Sequence, residues 1–222
     1  MIHIAIDGPA GAGKSTIARK VAAQIGFIYV DTGALYRAVG LFILRKGIAP
    51  ENVQAVVKLL PQIKISLRFE NGIQKVYLNG EDVSETIRTS DVSMSASGVS
   101  AIPAVRDFLF SLQRRLALEN NVIMDGRDIG TVVLPDAQLK FFLTASPEER
   151  ARRRFEEMQA KGQQTDYEKV LSDIRKRDAQ DMHRKIAPLK LAADAVKVDT
   201  TGKTLEQSEK LVRGIIHEKL GL

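Results

Sequence analysis

Residues 2–16, IHIAIDGPAGAGKST, decide the fold of this 222-residue chain. The apolar first half predicts a buried strand, and the second half fits the pattern G-x4-G-K-S, which closes on Lys14 and Ser15. Glycines lack Cβ atoms, so such a loop can curl until successive backbone N–H groups point at one anion. The lysine adds a positive charge, and a helix that begins near Gly13 directs its positive dipole end to the same place. The stretch therefore predicts a site for a nucleoside triphosphate.

The predicted triphosphate site is one continuous segment. It comprises Gly8, Pro9, Ala10, Gly11, Ala12, Gly13, Lys14, Ser15 and Thr16. The Ser15 hydroxyl is suited to bind Mg²⁺. A glycine-rich turn without a ligand is the alternative, but the apolar run before the loop and the helical spacing of Ile17, Val21 and Ile25 after it favour a phosphate loop.

Composition narrows the class of protein. The chain has no cysteine, which excludes disulfides, thiolate metal sites and a thiol nucleophile, and which fits a reducing cytoplasm. Its apolar stretches are too short to cross a bilayer, so no membrane partner is expected. The first strand begins at once, so no signal peptide is expected either. These features predict a cytoplasmic protein.

The formal net charge of +6 is concentrated in residues 150–190, which contain twelve Lys or Arg and seven Asp or Glu. A local excess favours a small polyanion over a long nucleic acid. Aromatic residues, which stack on the bases of single strands, make up only 5% of the chain. We therefore expect no nucleic-acid partner, although a nucleotide-dependent nucleic-acid binder that uses the basic segment remains the alternative from another class.

A second strand is predicted at residues 27–30 and a helix at residues 32–46. The order strand, helix, strand, helix predicts a parallel sheet with right-handed crossovers. Ligands of such sheets gather at the carboxyl ends of the strands. Tyr36 and Arg37 follow the second strand, so they become candidates for binding a second phosphate.

Residues 63–83 depart from this order. Their apolar and polar residues alternate, which is typical of a half-exposed strand, and Asn71-Gly72 and Asn79-Gly80 predict tight turns. A small antiparallel sheet is therefore predicted as an insertion. Residues 122–124 predict the next buried strand, which ends on Asp125, the usual source of a magnesium ligand that acts through water in phosphate-loop enzymes.

An arginine-rich helical pair is predicted after a strand at residues 139–143. Ser146 and Pro147 are typical of a helix start, and the helix carries Arg150, Arg153 and Arg154 on one face. Residues 161–164 predict a flexible tip, and Thr165 with Glu168 a second capping box. The pair is interpreted as a lid, with a solvated charged hairpin as the alternative. A last strand is predicted at residues 195–198, and Thr204 starts a terminal helix.

The chain has more arginines than one triphosphate needs. They come from three separate elements, at Arg37, at Arg127 and in the group at residues 150–184. Two nucleotides placed end to end would need them, because each pair of like charges in a partly dry site costs on the order of several kcal/mol. An arginine lid would offset that repulsion and exclude water. The pattern favours a small-molecule kinase, and no N-K-x-D motif of a guanine switch is present.

Four segments in this order resemble the bacterial cytidylate kinases: GPAGAGKST at residues 8–16, DTGALYR at 31–37, DGRDIGTVV at 125–133 and RDAQDMHR at 177–184. The resemblance runs the full length and includes the insertion of the long bacterial form. It implies an α/β nucleoside monophosphate kinase fold: a parallel sheet core flanked by helices, a small antiparallel β insert in the arm that binds the monophosphate, and a helical lid. It also implies one domain, with its core at about 1–31, 86–147 and 185–222, its arm at 32–85 and its lid at 148–184.

The resemblance implies that ATP phosphorylates CMP or dCMP to give ADP and CDP or dCDP. The implied acceptor site comprises Thr32, Tyr36, Arg37, Ser97, Arg106, Asp128, Arg177, Asp181 and Arg184. The implied catalytic residues are Lys14, Arg127, Arg153 and Arg177, and Arg153 also binds ATP. Mg²⁺ accompanies ATP, with Ser15 as a direct ligand and Asp125 acting through water. A monomer is expected.

The chemistry of cytosine agrees with this acceptor site. Arg106 and Ser97 can donate to N3 and O2 of the base, and Asp128 can accept from the N4 amine. Uracil would set its O4 against Asp128, acceptor to acceptor, and such a buried mismatch costs about 1–3 kcal/mol. Another monophosphate, or a different small acceptor such as shikimate, remains the alternative within kinases.

Overall fold

The computed structural model describes residues 1–70, 73–160 and 162–222. The predicted turn at Asn71-Gly72, and Lys161 of the predicted flexible tip, lie outside the described residues. The strands are β1 His3–Asp7, β2 Ile28–Asp31, β3 Ile65–Glu70, β4 Ile73–Leu78, β5 Glu81–Asp82, β6 Val122–Gly126, β7 Leu139–Thr144 and β8 Val196–Asp199. The helices are α1 Lys14–Ile25, α2 Thr32–Arg45, α3 Val53–Leu59, α4 Ser90–Val99, α5 Pro103–Glu119, α6 Pro147–Ala160, α7 Tyr167–His183 and α8 Leu205–Leu220.

The chain divides into two compact units. Met1 and residues 28–122 form the first unit, and residues 2–27 and 123–222 form the second. In the described part of the chain, no helix is long and apolar enough to span a bilayer.

The second unit is built on a parallel sheet. Strand β1 pairs in parallel with β7, with Ile4 opposite Leu139, and β7 pairs in parallel with β8; β6 lies on the other side of β1. Strands β1, β6 and β7 are mostly apolar and mostly buried, which is expected of parallel strands covered on both faces. The predicted parallel sheet is confirmed, and β1 leads directly into the glycine loop.

The helices of the second unit begin where short polar side chains cap them. Ser146 accepts from the backbone N–H of Glu149 at 3.2 Å, and Thr204 forms a reciprocal capping box with Gln207, so both predicted starts are confirmed. The box predicted from Thr165 and Glu168 is wrong. Asp166 caps α7 instead, because its carboxylate accepts from the N–H of Lys169 at 3.1 Å.

The first unit is organised around α2, which packs against α4, α5 and β4. A Cβ atom on Gly40 would lie 2.8 Å from the backbone nitrogen of Ala96, so α2 and α4 approach backbone to backbone. The predicted antiparallel sheet is confirmed in the order β3-β4-β5, with Ile65 opposite Leu78. Asn79 and Gly80 both have positive φ, as a tight hairpin turn requires.

The short helix α3, whose start is capped by Asn52, was not predicted from the sequence. Nor was a π-helical turn at Ile129–Val133, which directly follows Asp128. The carboxylate of Asp7, far away in the sequence, fixes this turn, so no local sequence pattern predicts it.

Candidate active site

The glycine loop needs glycine for steric reasons. Gly8, Gly11 and Gly13 all have positive φ values, of 147°, 77° and 86°. A Cβ atom on Gly8 would lie 1.9 Å from the carbonyl oxygen of Leu143, where no side chain fits. A Cβ atom on Gly11 would lie 3.3 Å from that of Arg150. The loop therefore runs tightly over β7 and the start of α6.

Lys14 is buried at the first residue of α1. Its ammonium donates to the carbonyl oxygen of Pro9 at 2.8 Å, so the loop's own backbone holds the charge. Burial, and then the positive charge of Arg127, lowers the pKa of Lys14 to about 7, although nearby carboxylates, that of Asp125 foremost, raise it. An anion entering the loop would replace the carbonyl as a stronger partner for this ammonium.

Ser15 and Asp125 offer two oxygen ligands side by side. The Ser15 hydroxyl donates to Oδ2 of Asp125 at 2.8 Å, and Asp125 is buried at the end of β6. A hydroxyl and a carboxylate fit Mg²⁺, which prefers oxygen ligands and takes most of them from phosphates and water. Within the described ranges, no group of three or more His, Cys, Asp or Glu side chains could hold a metal by itself.

A cavity of about 350 Å³ opens beside the loop. Residues 11–17 line it, together with Arg153, Arg154 and Lys203. Arg153 donates to Glu149 at 2.9 Å and to the carbonyl oxygen of Thr200 at 2.7 Å, and Arg154 pairs with Glu157. Arg153 and Arg154 therefore lie beside the loop, and the volume of the cavity suits a small-molecule site.

Arg150 also borders this cavity, but its guanidinium has a structural role that the sequence did not reveal. It donates to Asp178 at 2.6 and 3.0 Å, to the carbonyl oxygen of Ala10 at 3.0 Å and to that of Ala145 at 2.9 Å. Both side chains of the pair are nearly buried. Arg150 therefore ties α6 to the loop and to α7.

Predicted acceptor residues of the second unit form ion pairs. Arg127 donates to Asp181 at 2.8 Å, and Arg184 donates to Asp128 at 3.3 Å. Burial alone would raise the pKa of Asp181, but the surrounding guanidinium groups, that of Arg127 foremost and that of Arg177 next, hold it below its usual value. The structure thus brings two of the predicted arginines and two of the predicted carboxylates of this unit into two pairs that join the segment after β6 to α7 and the residue after it.

Asp7 is a residue of this region that sequence reasoning missed. Its buried carboxylate accepts from the backbone N–H groups of Ile129 and Gly130, both at 2.8 Å. Burial raises the pKa of Asp7 to about 6 despite these two bonds. Asp7 therefore fixes the π-helical turn that follows Asp128. The one available signal was an Asp at the end of an apolar strand, just before the loop.

In the first unit, Asp31 and Arg37 are linked. Asp31 caps α2, and its second carboxylate oxygen accepts from Nη2 of Arg37 at 3.0 Å. The Nε of Arg37 is buried and has no hydrogen-bond partner among the residues that the structure describes. Such an unmet donor is costly to bury, and an anion would satisfy it.

The remaining predicted acceptor residues of the first unit lie on α2, α4 and α5. Thr32 is buried at the start of α2, and Ser97 lies half-buried on α4. Arg106 on α5 is buried, donates to the carbonyl oxygen of Ser100 at 3.3 Å and lies 5.7 Å from the ring centre of Tyr36. The structure therefore brings Tyr36 and Arg106 together as a cation and an aromatic face.

Comparison with known proteins gives a consistent result. A sequence profile described as Cytidylate kinase matches residues 4–218. The cytidylate kinase of Caldicellulosiruptor bescii is 53% identical over 206 residues, which cover 93% of this chain and 91% of that protein. The cytidylate kinase of Caldicellulosiruptor saccharolyticus is 50% identical over 220 residues, with 99% and 97% covered. A solved structure of an uncharacterized protein from Eubacterium ventriosum shares the fold, with a TM-score of 0.54, 12% identity and coverage of 97% and 98%.

Proposed function

The chain belongs to the cytidylate kinase family. From this premise, we propose which of its residues transfer the γ-phosphoryl group of ATP to CMP or dCMP. The products are ADP and CDP or dCDP. The activity is assigned from the match of the family profile to residues 4–218. Relatives that are about half identical over almost the whole chain support the same assignment.

For the donor, we assign ATP to the loop at residues 8–16 and to Arg153. Backbone N–H groups of the loop and the Lys14 ammonium would hold the phosphates, and the cavity beside the loop offers room for the rest of the nucleotide. Ser15, with Asp125 acting through water, would hold Mg²⁺, which when bound supplies positive charge to the transferring phosphoryl group. The hydroxyl–carboxylate pair supports this assignment.

For the acceptor, we propose the residues that the resemblance to the family implies. They are Thr32, Tyr36, Arg37, Ser97, Arg106, Asp128, Arg177, Asp181 and Arg184. The unmet buried donor of Arg37 supports its assignment to the acceptor phosphate. The buried carboxylate of Asp128 supports its assignment to the N4 amine of cytosine.

The mechanism requires positioning and charge stabilisation but no general base, because the attacking oxygen already belongs to an anionic phosphate. Arg127 is paired with Asp181, and Arg153 is paired with Glu149. Phosphate oxygens would take over these guanidinium groups, and Lys14, Arg127, Arg153 and Arg177 would then stabilise the charge on a loose, metaphosphate-like transition state.

An acceptor panel tests the activity. With ATP and Mg²⁺, ADP release should be fast with CMP and dCMP and much slower with UMP, AMP and shikimate. Rapid turnover of AMP or shikimate, without turnover of CMP, would contradict the assignment. A steeply salt-dependent affinity for RNA or DNA in a protein that phosphorylates no monophosphate would favour the nucleic-acid alternative.

Replacing Asp128 by alanine should lower the preference for CMP over UMP, measured as the ratio of the two kcat/KM values, by about 10- to 100-fold. The reason is that the carboxylate no longer opposes the O4 acceptor of uracil. In Asp128→Asn, the amide can turn its oxygen to N4 or its NH₂ to O4, so discrimination should fall with a smaller loss of CMP turnover. Asp136→Ala, an exposed carboxylate, is the control. An unchanged ratio in Asp128→Ala would refute the role.

We further propose that the protein acts in the cytoplasm, which its lack of cysteine supports. We also propose that it is a monomer without nucleic-acid or membrane partners. The division into a core, an arm at residues 32–85 and a lid at residues 148–184 also stays a proposal. Its basis is the resemblance to kinases that close over their substrates.

A further inference from the structure

Gln74 occupies a position in β4 where the strand pattern favours an apolar residue. Because side chains alternate along a strand, residues 74, 76 and 78 share one face of β4. Val76 and Leu78 are buried on that face, in an apolar cluster that also contains Leu35 and Val39 of α2. Gln74 lies at the end of the same face and is half-buried. A polar side chain in this position needs a partner.

The partner of Gln74 is the backbone of Asp31. The N–H of Asp31 donates to Oε1 of Gln74 at 3.0 Å, and Nε2 of Gln74 donates to the carbonyl oxygen of Asp31 at 3.4 Å. One side-chain amide thus satisfies both backbone groups of the last residue of β2. A neighbouring strand would otherwise provide such pairing. The three-stranded sheet is therefore hydrogen-bonded to the end of β2 at a single residue.

Asp31 in turn controls the start of α2 and the direction of Arg37. One carboxylate oxygen accepts from the N–H of Ala34 at 2.9 Å, and the other accepts from Arg37 at 3.0 Å. The side chains of Asp31 and Arg37 are 12% and 22% exposed, so water screens this pair only partly. A continuous series of hydrogen bonds therefore runs from Gln74 through Asp31 to the guanidinium that has an unmet donor.

We propose that Gln74 is a positioning residue for the acceptor phosphate, so that the three-stranded sheet acts on CMP binding through Asp31 and Arg37. This inference rests on the proposed role of Arg37. A guanidinium binds phosphate with its planar fork, so its orientation affects binding directly. Releasing the backbone N–H and C=O of Asp31 lets the cap and the Arg37 side chain shift together, and small displacements of a binding group are costly.

The test is a comparison of Gln74→Ala and Gln74→Met with the parent enzyme. We expect the KM for CMP to rise about tenfold, the scale of two lost hydrogen bonds, while the KM for ATP stays within about twofold. Gln74→Met keeps the side-chain length and the packing, so it separates the lost hydrogen bonds from a cavity. The affinity for cytidine, which lacks the phosphate, should stay unchanged in calorimetric titrations.

The matched control is Lys75→Ala, since the neighbouring side chain points to the other face of β4 and lies 3.8 Å from the exposed Asp82. It should leave every parameter unchanged. In an Arg37→Ala background, Gln74→Ala should raise the KM for CMP less than about twofold further, because its effect passes through Arg37.

The outcomes separate this inference from the proposed function. If Arg37→Ala raises the KM for CMP but both Gln74 variants leave it unchanged, the inference is overturned and the acceptor assignment stands. The same holds if the Gln74 variants weaken cytidine and CMP equally, or if the two effects multiply in the double variant. If Arg37→Ala itself changes nothing, the assignment of Arg37 fails, and the inference fails with it.

Discussion

The Lys14→Ala variant should turn over CMP about a thousandfold more slowly than the parent enzyme, the scale found when a group that stabilises transition-state charge is removed. Lys14 is the one residue of the loop that brings a full positive charge to the phosphates. Its ammonium already sits inside the loop, 2.8 Å from the carbonyl oxygen of Pro9, so no reorganisation over a long distance is needed when ATP binds.

Folding should survive this substitution. The pKa of Lys14 is lowered to about 7, which means that burial makes its charged form unfavourable. Removing the side chain relieves that cost, so the melting temperature should hold or rise. The control is Lys20→Ala on the same helix, an exposed lysine 3.2 Å from Glu209. Turnover of Lys14→Ala within tenfold of the parent, measured by ADP release, would refute the role.

Arg150→Ala should lower the free energy of unfolding by about 3–5 kcal/mol, the usual result of leaving one partner of a buried ion pair alone. The substitution leaves the Asp178 carboxylate without its ion-pair partner and removes the hydrogen bonds to the carbonyl oxygens of Ala10 and Ala145. Asp178→Ala should cost a similar amount. The double variant Arg150→Met, Asp178→Leu should recover much of the loss, because an apolar pair can replace a buried ion pair.

Urea unfolding measures these differences. The control is Arg152→Ala, whose guanidinium is half-exposed and pairs with Glu149 and Glu156 on the helix surface; it should cost less than about 1 kcal/mol. The proposed role of the Arg150–Asp178 pair is wrong if Arg150→Ala and Arg152→Ala lower the free energy of unfolding by the same small amount. It is also wrong if the double variant is no more stable than the single ones.

Local patterns were enough to predict the phosphate loop, the parallel strands, the antiparallel insertion and most helix starts. In each case the information lies within a few residues, as with the N–H of Glu149 and the cap Ser146. The one wrong cap differs by a single residue, since Thr165 and Asp166 are both plausible caps and only the path of the backbone selects between them. Tyr36 and Arg37 were also indicated by their place after the second strand, but the other acceptor residues followed only from the resemblance to a family.

The contacts that the sequence did not reveal join distant positions. Asp7 and Ile129 are 122 residues apart, Gln74 and Asp31 are 43 apart, and Arg150 and Asp178 are 28 apart. Each joins a polar group to a partner that only the tertiary fold supplies, so no periodicity marks it. Residues 150, 153 and 154 share a helix face, as predicted, and all three border the cavity. Their spacing could not show that Arg150 also donates to the backbone of the loop.

The bonds of Arg150 restrict how the two arginine-bearing helices can move. α6 and α7 share an apolar cluster of Ala151, Val170, Leu171 and Ile174, and the Arg150–Asp178 pair joins them at one end. Neither helix can swing alone without exposing both the cluster and a charge. In any closure over a nucleotide, the two helices therefore move together as one rigid body. The backbone then bends at residues outside the helices. Ala187, a non-glycine residue with a φ of 46° just beyond α7, is suited to be such a hinge.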